Sequence, residues 1–298
     1  MKNNTFEEIA KVIEGCENIL LFPHINMDGD TLGSCTALCI ALRKMGKNAV
    51  ILVEDDIPMS LQFMENGYCS RDFDVISEPD LCMCIDCGDV SRFPKRRMRF
   101  ESGKIKICID HHMTTDAAFD YNYIDATSAS CGELVFLLLE AMGAVPDRES
   151  ANALYAAIST DTGNYTYSNT TKRTHEITAK LYDYGVDAND VSVEIFENMR
   201  MERVLIEGKI IETMQLFGDG RAAIAYVTQE MLAETGATMD ETEGVVQRLR
   251  SIRGVEVAAF VKDEANGTTK CSFRSKKHVD VAEIASCFGG GGHIRAAG

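Results

Sequence analysis

The sequence predicts an α/β fold in two parts: a doubly wound, largely parallel sheet, then a smaller α/β unit. Three observations carry this expectation. Through the first half, short apolar runs alternate with longer amphipathic stretches, the pattern of parallel strands joined by covering helices. After Gly218 and Gly220 the pattern changes to shorter strand-like runs that include a hairpin turn. A length of 298 residues with 45% hydrophobic content suggests two domains rather than one.

Taken in order, the candidate strands are NILLFPH (18–24), NAVILVE (48–54), LCMCIDCGD (81–89) and KIKICIDHH (104–112). Between the first two lies DTLGSCTALCIALRKMG, a helix by length and composition that Gly46 closes. Further helices are expected at 131–143, where Ser130 and Glu133 fit a capping box, at 149–160 and at 175–185. The stretch 190–216 contains no Pro, a single Gly and mixed charges on a helical period, and reads as a linker helix. Strand-like runs follow at 221–231 and 255–275, the second folded on the turn ANGT, before the terminal HVDVAEIASCFGGGGHIRAAG. The expected division is therefore 1–188 for the first domain, 189–217 for the helical linker and 218–298 for the second domain.

Composition narrows the function classes. A formal charge of −16 argues against gripping long duplex DNA, because phosphate contacts supply most of such affinity, but leaves room for a small phosphorylated ligand. The first twenty residues lack the apolar stretch of a signal peptide, and no run of 18 apolar residues suggests a membrane span. Eleven scattered cysteines, mostly inside apolar runs, read as reduced buried thiols, and the chain is expected in the cytoplasm. Cys82, Cys84 and Cys87 have no second pair at zinc spacing and are read as small core hydrophobes. The basic run RFPKRRMR (92–99) reads as a solvated helix or loop face, and His175 and His278 as ordinary surface or packing residues.

The chemistry is expected where acidic and histidine-bearing segments end apolar runs, since open parallel sheets bind ligands at the carboxyl ends of their strands. Four such segments occur: His24 with Asp28 and Asp30; Asp86; Asp110, His111 and His112; and Asp161, where a helix gives way to a Gly-containing turn. In the first, Gly29 is read as a flexible link that lets the carboxylates bend round metal ions. Each segment alone has a bland explanation as a cap or a solvated loop. Together their carboxylates would repel one another unless cations intervened. Imidazole mixed with carboxylate favours manganese, with magnesium or cobalt as alternatives. Two such ions about 3.5–4 Å apart polarise a phosphoryl group and activate water for in-line attack, and Asp86, on a central strand, is the candidate bridge.

These residues resemble the motifs of the DHH phosphoesterases: His24-x3-Asp28-Gly-Asp30, Asp86, the triplet Asp110-His111-His112, and Asp161. The terminal GGGGHIRAAG is similar to the signature of the associated DHHA1 domain. Order and length place the resemblance with the branch of nano-RNases and 3'-phosphoadenosine 5'-phosphate (pAp) phosphatases, rather than with longer RecJ-like exonucleases or with family II pyrophosphatases. The resemblance implies that His24 and Asp28 hold one metal, that Asp30, His111 and Asp161 hold a second, and that Asp86 bridges them. It implies that His112 sits beside the scissile phosphate as a ligand or general acid, and that Asp110 orients a neighbouring histidine. Arg274, Gly290, Gly291, Gly292 and His293 match the family's substrate-holding positions. Relatives of this kind usually continue with another strand and helix beyond Gly298, and often form homodimers.

The expected activity is manganese-dependent hydrolysis of short oligoribonucleotides, linear dinucleotides or pAp, the first domain doing the chemistry and the second holding the far end of the substrate. A rival is hydrolysis of cyclic dinucleotides, polyphosphate or pyrophosphate on the same metals. A rival of another class is a non-catalytic RNA-binding module, against which the intact set of ligands speaks.

Overall fold

The structure, a computed structural model, describes residues 3–112, 115 and 119–298, and divides into two compact units, Met1–Asn198 and Met199–Gly298. The first unit opens with α1 (Phe6–Glu14), started by a reciprocal capping box between Thr5 and Glu8. There follow β1 (Asn18–Phe22), α2 (Gly29–Lys44), β2 (Asn48–Leu52), β3 (Cys69–Ser70), β4 (Leu81–Ile85), α3 (Arg97–Glu101), β5 (Ile105–Asp110) and β6 (Tyr121–Ile124). Four helices complete it: α4 (Cys131–Ala141), α5 (Arg148–Asp161), α6 (Lys172–Asp183) and α7 (Ala188–Ser192).

The six strands form one parallel sheet in the order β3-β2-β1-β4-β5-β6. Strands buried on both faces read as continuous apolar runs, and β1, β2 and β4 do after their first residues. Ile19, Leu21, Ile51, Met83, Ile85, Ile107 and Ile109 face the core made with α1, α2, α4 and α5. Leu20, Phe22, Leu52, Cys82, Cys84 and Cys108 face the opposite core, which Phe93 and Phe100 close. The strand order reverses between β1 and β4, and this switch point is where an open α/β sheet leaves a crevice beyond its strand ends.

Helix α2 is buried from Gly29 to Leu42 because it lies between the sheet and α5. Small residues permit that approach. A Cβ on Gly29 would come within 2.4 Å of Thr160, and one on Gly33 within 2.4 Å of the Ala153 carbonyl. The amino end of α2 thereby meets the carboxyl end of α5, which brings Asp161 to Asp28 and Asp30. Gly29 is accordingly no flexible link: it and Asp30 are the first residues of α2, and its missing side chain serves the packing of α5.

Three other expectations are corrected. Within the basic run, Arg96 is only 1% exposed: it pairs with Glu54 at 2.9 Å and donates to the Leu52 carbonyl, so this part of the run is core and not a solvated face. The Ser130–Glu133 capping box is half made. Ser130 accepts the Glu133 N–H, but the Glu133 carboxylate does not take the Ser130 N–H in return: it accepts from Arg173 and Thr174 and from Ser128 and Ala129, the two residues before the cap. The expected linker helix is interrupted. Val193–Glu197 is a π turn after α7, Arg200 is extended, and α8 (Met201–Glu212) begins afresh in the second unit. Its apolar residues have two different partners: Val191 joins the first core, Ile206 and Ile210 the second.

The second unit continues with β7 (Gln215–Phe217), β8 (Ala222–Val227), α9 (Gln229–Thr235), α10 (Val245–Ser251), β9 (Val257–Asp263), β10 (Thr269–Ser275), α11 (Val281–Ser286), β11 (Gly292–His293) and β12 (Ala296–Ala297). Its mixed sheet has the order β11-β12-β10-β9-β8-β7, with β9 and β10 joined across the expected ANGT turn. Substituting Gly33→Ala tests the helix contact that brings Asp161 to α2. The overpacked methyl should lower stability by about 1–3 kcal/mol, read as a reduced urea midpoint, and an unchanged midpoint would refute the close α2–α5 approach.

Candidate metal centre

The carboxyl end of β1 delivers the first ligand candidates. The His24 N–H donates to Thr31 Oγ1 (3.3 Å), and that hydroxyl donates to the Ile85 carbonyl (3.0 Å), which ties the loop after β1 to β4. Asn26, at φ +53°, turns the chain, and Asp28 caps α2 by accepting the N–H groups of Asp30 and Thr31. His24 Nδ1 lies 2.7 Å from the Ile25 carbonyl, which assigns the proton to Nδ1. Nε2 is left to face Asp28 Oδ2 at 3.6 Å and Asp86 Oδ2 at 3.5 Å, the orientation a metal-binding imidazole adopts.

Asp86 follows β4 in a left-handed conformation, φ +59°, and is 1% exposed. Its Oδ1 is 3.4 Å from both His111 Nε2 and His112 Nδ1, yet accepts no hydrogen bond. At the end of β5, Asp110 accepts the His111 and His112 N–H groups and the His112 ring at 2.7 Å, so His112 is the histidine it orients. His111 directs Nδ1 to the Ser128 carbonyl at 3.3 Å. Its Nε2 faces Asp30 Oδ2, Asp86 Oδ1 and Asp161 Oδ2 at 3.5, 3.4 and 3.3 Å. Asp30, fully buried, accepts the Cys131 and Gly132 N–H groups at 2.7 and 2.9 Å.

Crowding of like charge governs the electrostatics. Burial, then the charges of Asp86 and Asp161, push the Asp30 carboxyl well above the ordinary range. Burial also raises Asp161, to about 7, with Asp86 and Asp28 adding to it against the pull of His111. Burial opposes charge on His24 and His111, but the surrounding carboxylates outweigh it and raise them to about 10 and about 11. The hydrogen bond that the His112 ring donates to Asp110, first among its causes, raises His112. Every one of these shifts expresses the same demand for positive charge.

The ligand atoms fall into overlapping groups, each within 4.8 Å: His24, Asp28 and Asp86; Asp30, His111 and Asp161; and Asp86, His111 and His112. Among the described residues these groups contain only Asp and His; no cysteine joins them. A buried carboxylate oxygen without a donor is costly, and a divalent cation between the groups would satisfy Asp86 Oδ1. The residues present therefore fit divalent metal.

Arg274 and His293 lie in the second unit. Both stand opposite Ala296, Arg274 on β10 and His293 on β11, so the sheet register puts them on one face. Of the adjoining glycines, Gly290 and Gly292 are sterically required, while Gly291 has open space. A Cβ on Gly290 would meet the Gly298 carbonyl at 2.3 Å, and one on Gly292 the Ala296 carbonyl at 2.7 Å.

The sequence alone did not mark Ser128, Asn169 or Thr31 as parts of the site. Ser128 acts through its carbonyl, and Asn169 binds the carbonyls of Ala129 and Asp161, both at 3.0 Å. Backbone acceptors leave no spacing signal.

Residues 18–158 match the DHH family, N-terminal domain, and residues 219–298 match the DHHA1 domain. The chain is 28% identical to the bifunctional oligoribonuclease and PAP phosphatase NrnA of Thermus thermophilus, over 98% of this chain and 86% of that one. It is 27% identical to the protein of the same name from Bacillus subtilis, over 98% and 91%. In structure it is similar to an exopolyphosphatase-related protein from Bacteroides fragilis, with a TM-score of 0.91, 25% identity and coverage of 98% and 89%. An exonuclease RecJ bound to manganese shares the fold, with a TM-score of 0.57, 16% identity and coverage of 100% and 90%.

Asp86→Asn separates a cation site from an ordinary acidic cluster, since Asn tolerates the left-handed backbone. Manganese at a hundred times its dissociation constant should stabilise the wild type by about 2.7 kcal/mol, read as a rise in Tm over the value in EDTA. The variant should match or exceed the wild-type Tm in EDTA and lose most of the rise. An equal rise in both proteins would dismiss Asp86 as a ligand.

Proposed function

Because the chain belongs to the DHH family and carries a DHHA1 domain behind it, we propose that it is a two-metal phosphoesterase that hydrolyses short oligoribonucleotides, dinucleotides or pAp. The observation that carries this reading is Asp86 Oδ1, buried and without a donor between two groups of ligand atoms. His24 and Asp28 would hold one cation, Asp30, His111 and Asp161 the other, with Asp86 between them. The imidazole and carboxylate donors suit manganese, and magnesium or cobalt are the alternatives. When bound, the cations would polarise the phosphoryl group and activate water for in-line attack.

The protein's own residues supply the rest. Asp110 holds the His112 ring by Nδ1, which leaves Nε2 as the atom that can carry a proton to the departing ester oxygen. Asp86 Oδ1, near the same ring, favours its charged form. In the second unit, the Arg274 fork suits a terminal phosphate, with His293 on the same sheet face; the Gly290 and Gly291 N–H groups donate to the carbonyls of Ala285 and Gly298, so these glycines would shape the loop beside the ligand and not bind it through those groups. The names of the curated relatives, oligoribonuclease and PAP phosphatase, support substrates with a terminal phosphate beside an ester.

The direct test is a hydrolysis panel with the manganese-loaded protein: linear dinucleotides, pAp, a cyclic dinucleotide and pyrophosphate. Faster release of mononucleotides from the cyclic than from the linear dimer would reject the proposed substrate class. For the proton donor, His112→Asn should lower kcat on a linear dinucleotide about 10²–10⁴-fold. The loss should shrink on a p-nitrophenyl ester, whose leaving group needs no proton, and an equal loss on both would remove the acid role. Arg274→Ala should raise KM for the phosphorylated substrates about 10–100-fold, as loss of a charged hydrogen bond does, and leave kcat nearly unchanged.

A further inference from the structure

We propose that Glu133, a carboxylate outside the metal-facing set, is a positioning residue for one cation site alone, the one formed by Asp30, His111 and Asp161. The inference rests on the two-cation reading above. Glu133 is fully buried on α4, where a lone carboxylate would be strongly disfavoured. It is fully engaged. Oε1 accepts the Thr174 hydroxyl at 2.6 Å, and Oε2 accepts Arg173 Nε and Ser128 Oγ at 2.9 Å each and the Ala129 N–H at 3.4 Å. Arg173 extends the network by donating to Asp125 Oδ2 at 3.0 Å. One carboxylate therefore anchors residues 125–132 from two sides.

That segment is tied to every ligand of the one group, to Asp161 by way of Asn169. Its Asp125 N–H donates to the Asp110 carbonyl at 3.0 Å, immediately before His111. The Ser128 carbonyl accepts His111 Nδ1, which fixes the ring so that Nε2 faces Asp30 and Asp161. The Ala129 carbonyl shares the Asn169 amide with the carbonyl of Asp161. The N–H groups of Cys131 and Gly132 each take one oxygen of Asp30. The other group is held elsewhere: His24 by the Ile25 carbonyl, Asp28 by the N–H groups of Asp30 and Thr31. Loss of Glu133 frees Ser128 and Ala129 and leaves Arg173 short of a partner, so the segment shifts under three ligands of one cation while the two terminal ligands of the other stay put.

The test measures metal, with turnover as a secondary readout. Manganese binding to Glu133→Gln should resolve into two steps, one as in the wild type and one weakened about 10–100-fold, the usual cost of losing a group that orients metal ligands. At manganese concentrations that fill both wild-type sites, the electron paramagnetic resonance signal should change from that of an exchange-coupled pair to that of a single ion, and return as manganese is raised. A residue that only supports the fold would weaken both steps together, and that outcome, or two unchanged steps, overturns the proposal. Should Glu133→Gln not fold, Arg173→Gln, a half-exposed member of the same network, carries the measurement with the same expected selectivity. If the wild type itself binds fewer than two manganese ions, the two-cation reading fails, which is a separate result from failure of the Glu133 assignment.

Discussion

The carboxylates of Asp28, Asp30, Asp86 and Asp161 converge around two imidazoles at the ends of β1, β4 and β5, and their mutual repulsion is the constraint on which the first unit is built. Left alone, such a cluster takes up protons or moves apart. The fold blocks separation. Asp30 is held by two backbone N–H groups of α4, Asp86 is buried in a left-handed backbone position between β1 and β5, and Asp161 is carried by a helix packed directly on α2. What remains is neutralisation, by proton or by cation. Pre-formed ligand geometry of this kind makes cation binding part of the stability of the fold.

The surrounding architecture follows from that demand. A parallel sheet places all its strand carboxyl ends on one side, and the reversal of order between β1 and β4 opens a crevice there. Three of the four acidic segments follow adjacent strands β1, β4 and β5, so sheet geometry alone assembles them. Asp161 is different because it arrives by helix packing. Its place depends on Gly29 and Gly33, whose missing side chains let α5 approach.

These two routes explain what the sequence made legible. Strand ends are visible as apolar runs that stop at a charged residue, and so His24, Asp86, Asp110, His111 and His112 could be singled out one segment at a time. The strands β1, β2, β4 and β5 and the ANGT hairpin were readable for the same reason, since periodicity records burial, whereas the edge strands β3 and β6, short and only partly apolar, carried no such run. What periodicity does not record is a residue's partner. Glu133 had the spacing of a capping box, but Arg173 and Thr174, forty and forty-one positions away, share its carboxylate with Ser128 and Ala129, and none of it goes to the Ser130 N–H. Arg96 sat in a basic run that looked solvated, yet Glu54 and the Leu52 carbonyl draw it into the core. The stretch 190–216 had one helical period but two cores to serve, and it broke where the partner changed.

The acidic character of the chain and the proposed substrate are compatible for a physical reason. A net charge of −16 gives a long polyanion no general attraction, since little counterion release accompanies contact with an acidic surface. Attraction is then confined to places where charge is locally reversed. The metal-facing cluster becomes such a place once cations occupy it. On the proposed reading, the face of the second sheet that carries the Arg274 guanidinium and His293 would be another. Binding that depends on a few local contacts, against a repulsive background, favours ligands with few phosphates. Each additional nucleotide adds a phosphate to that background and gains no compensating cation, so affinity should not grow with chain length as it does for proteins with broad basic surfaces. On this reasoning, a preference for very short nucleotides needs no barrier to length beyond the charge distribution itself.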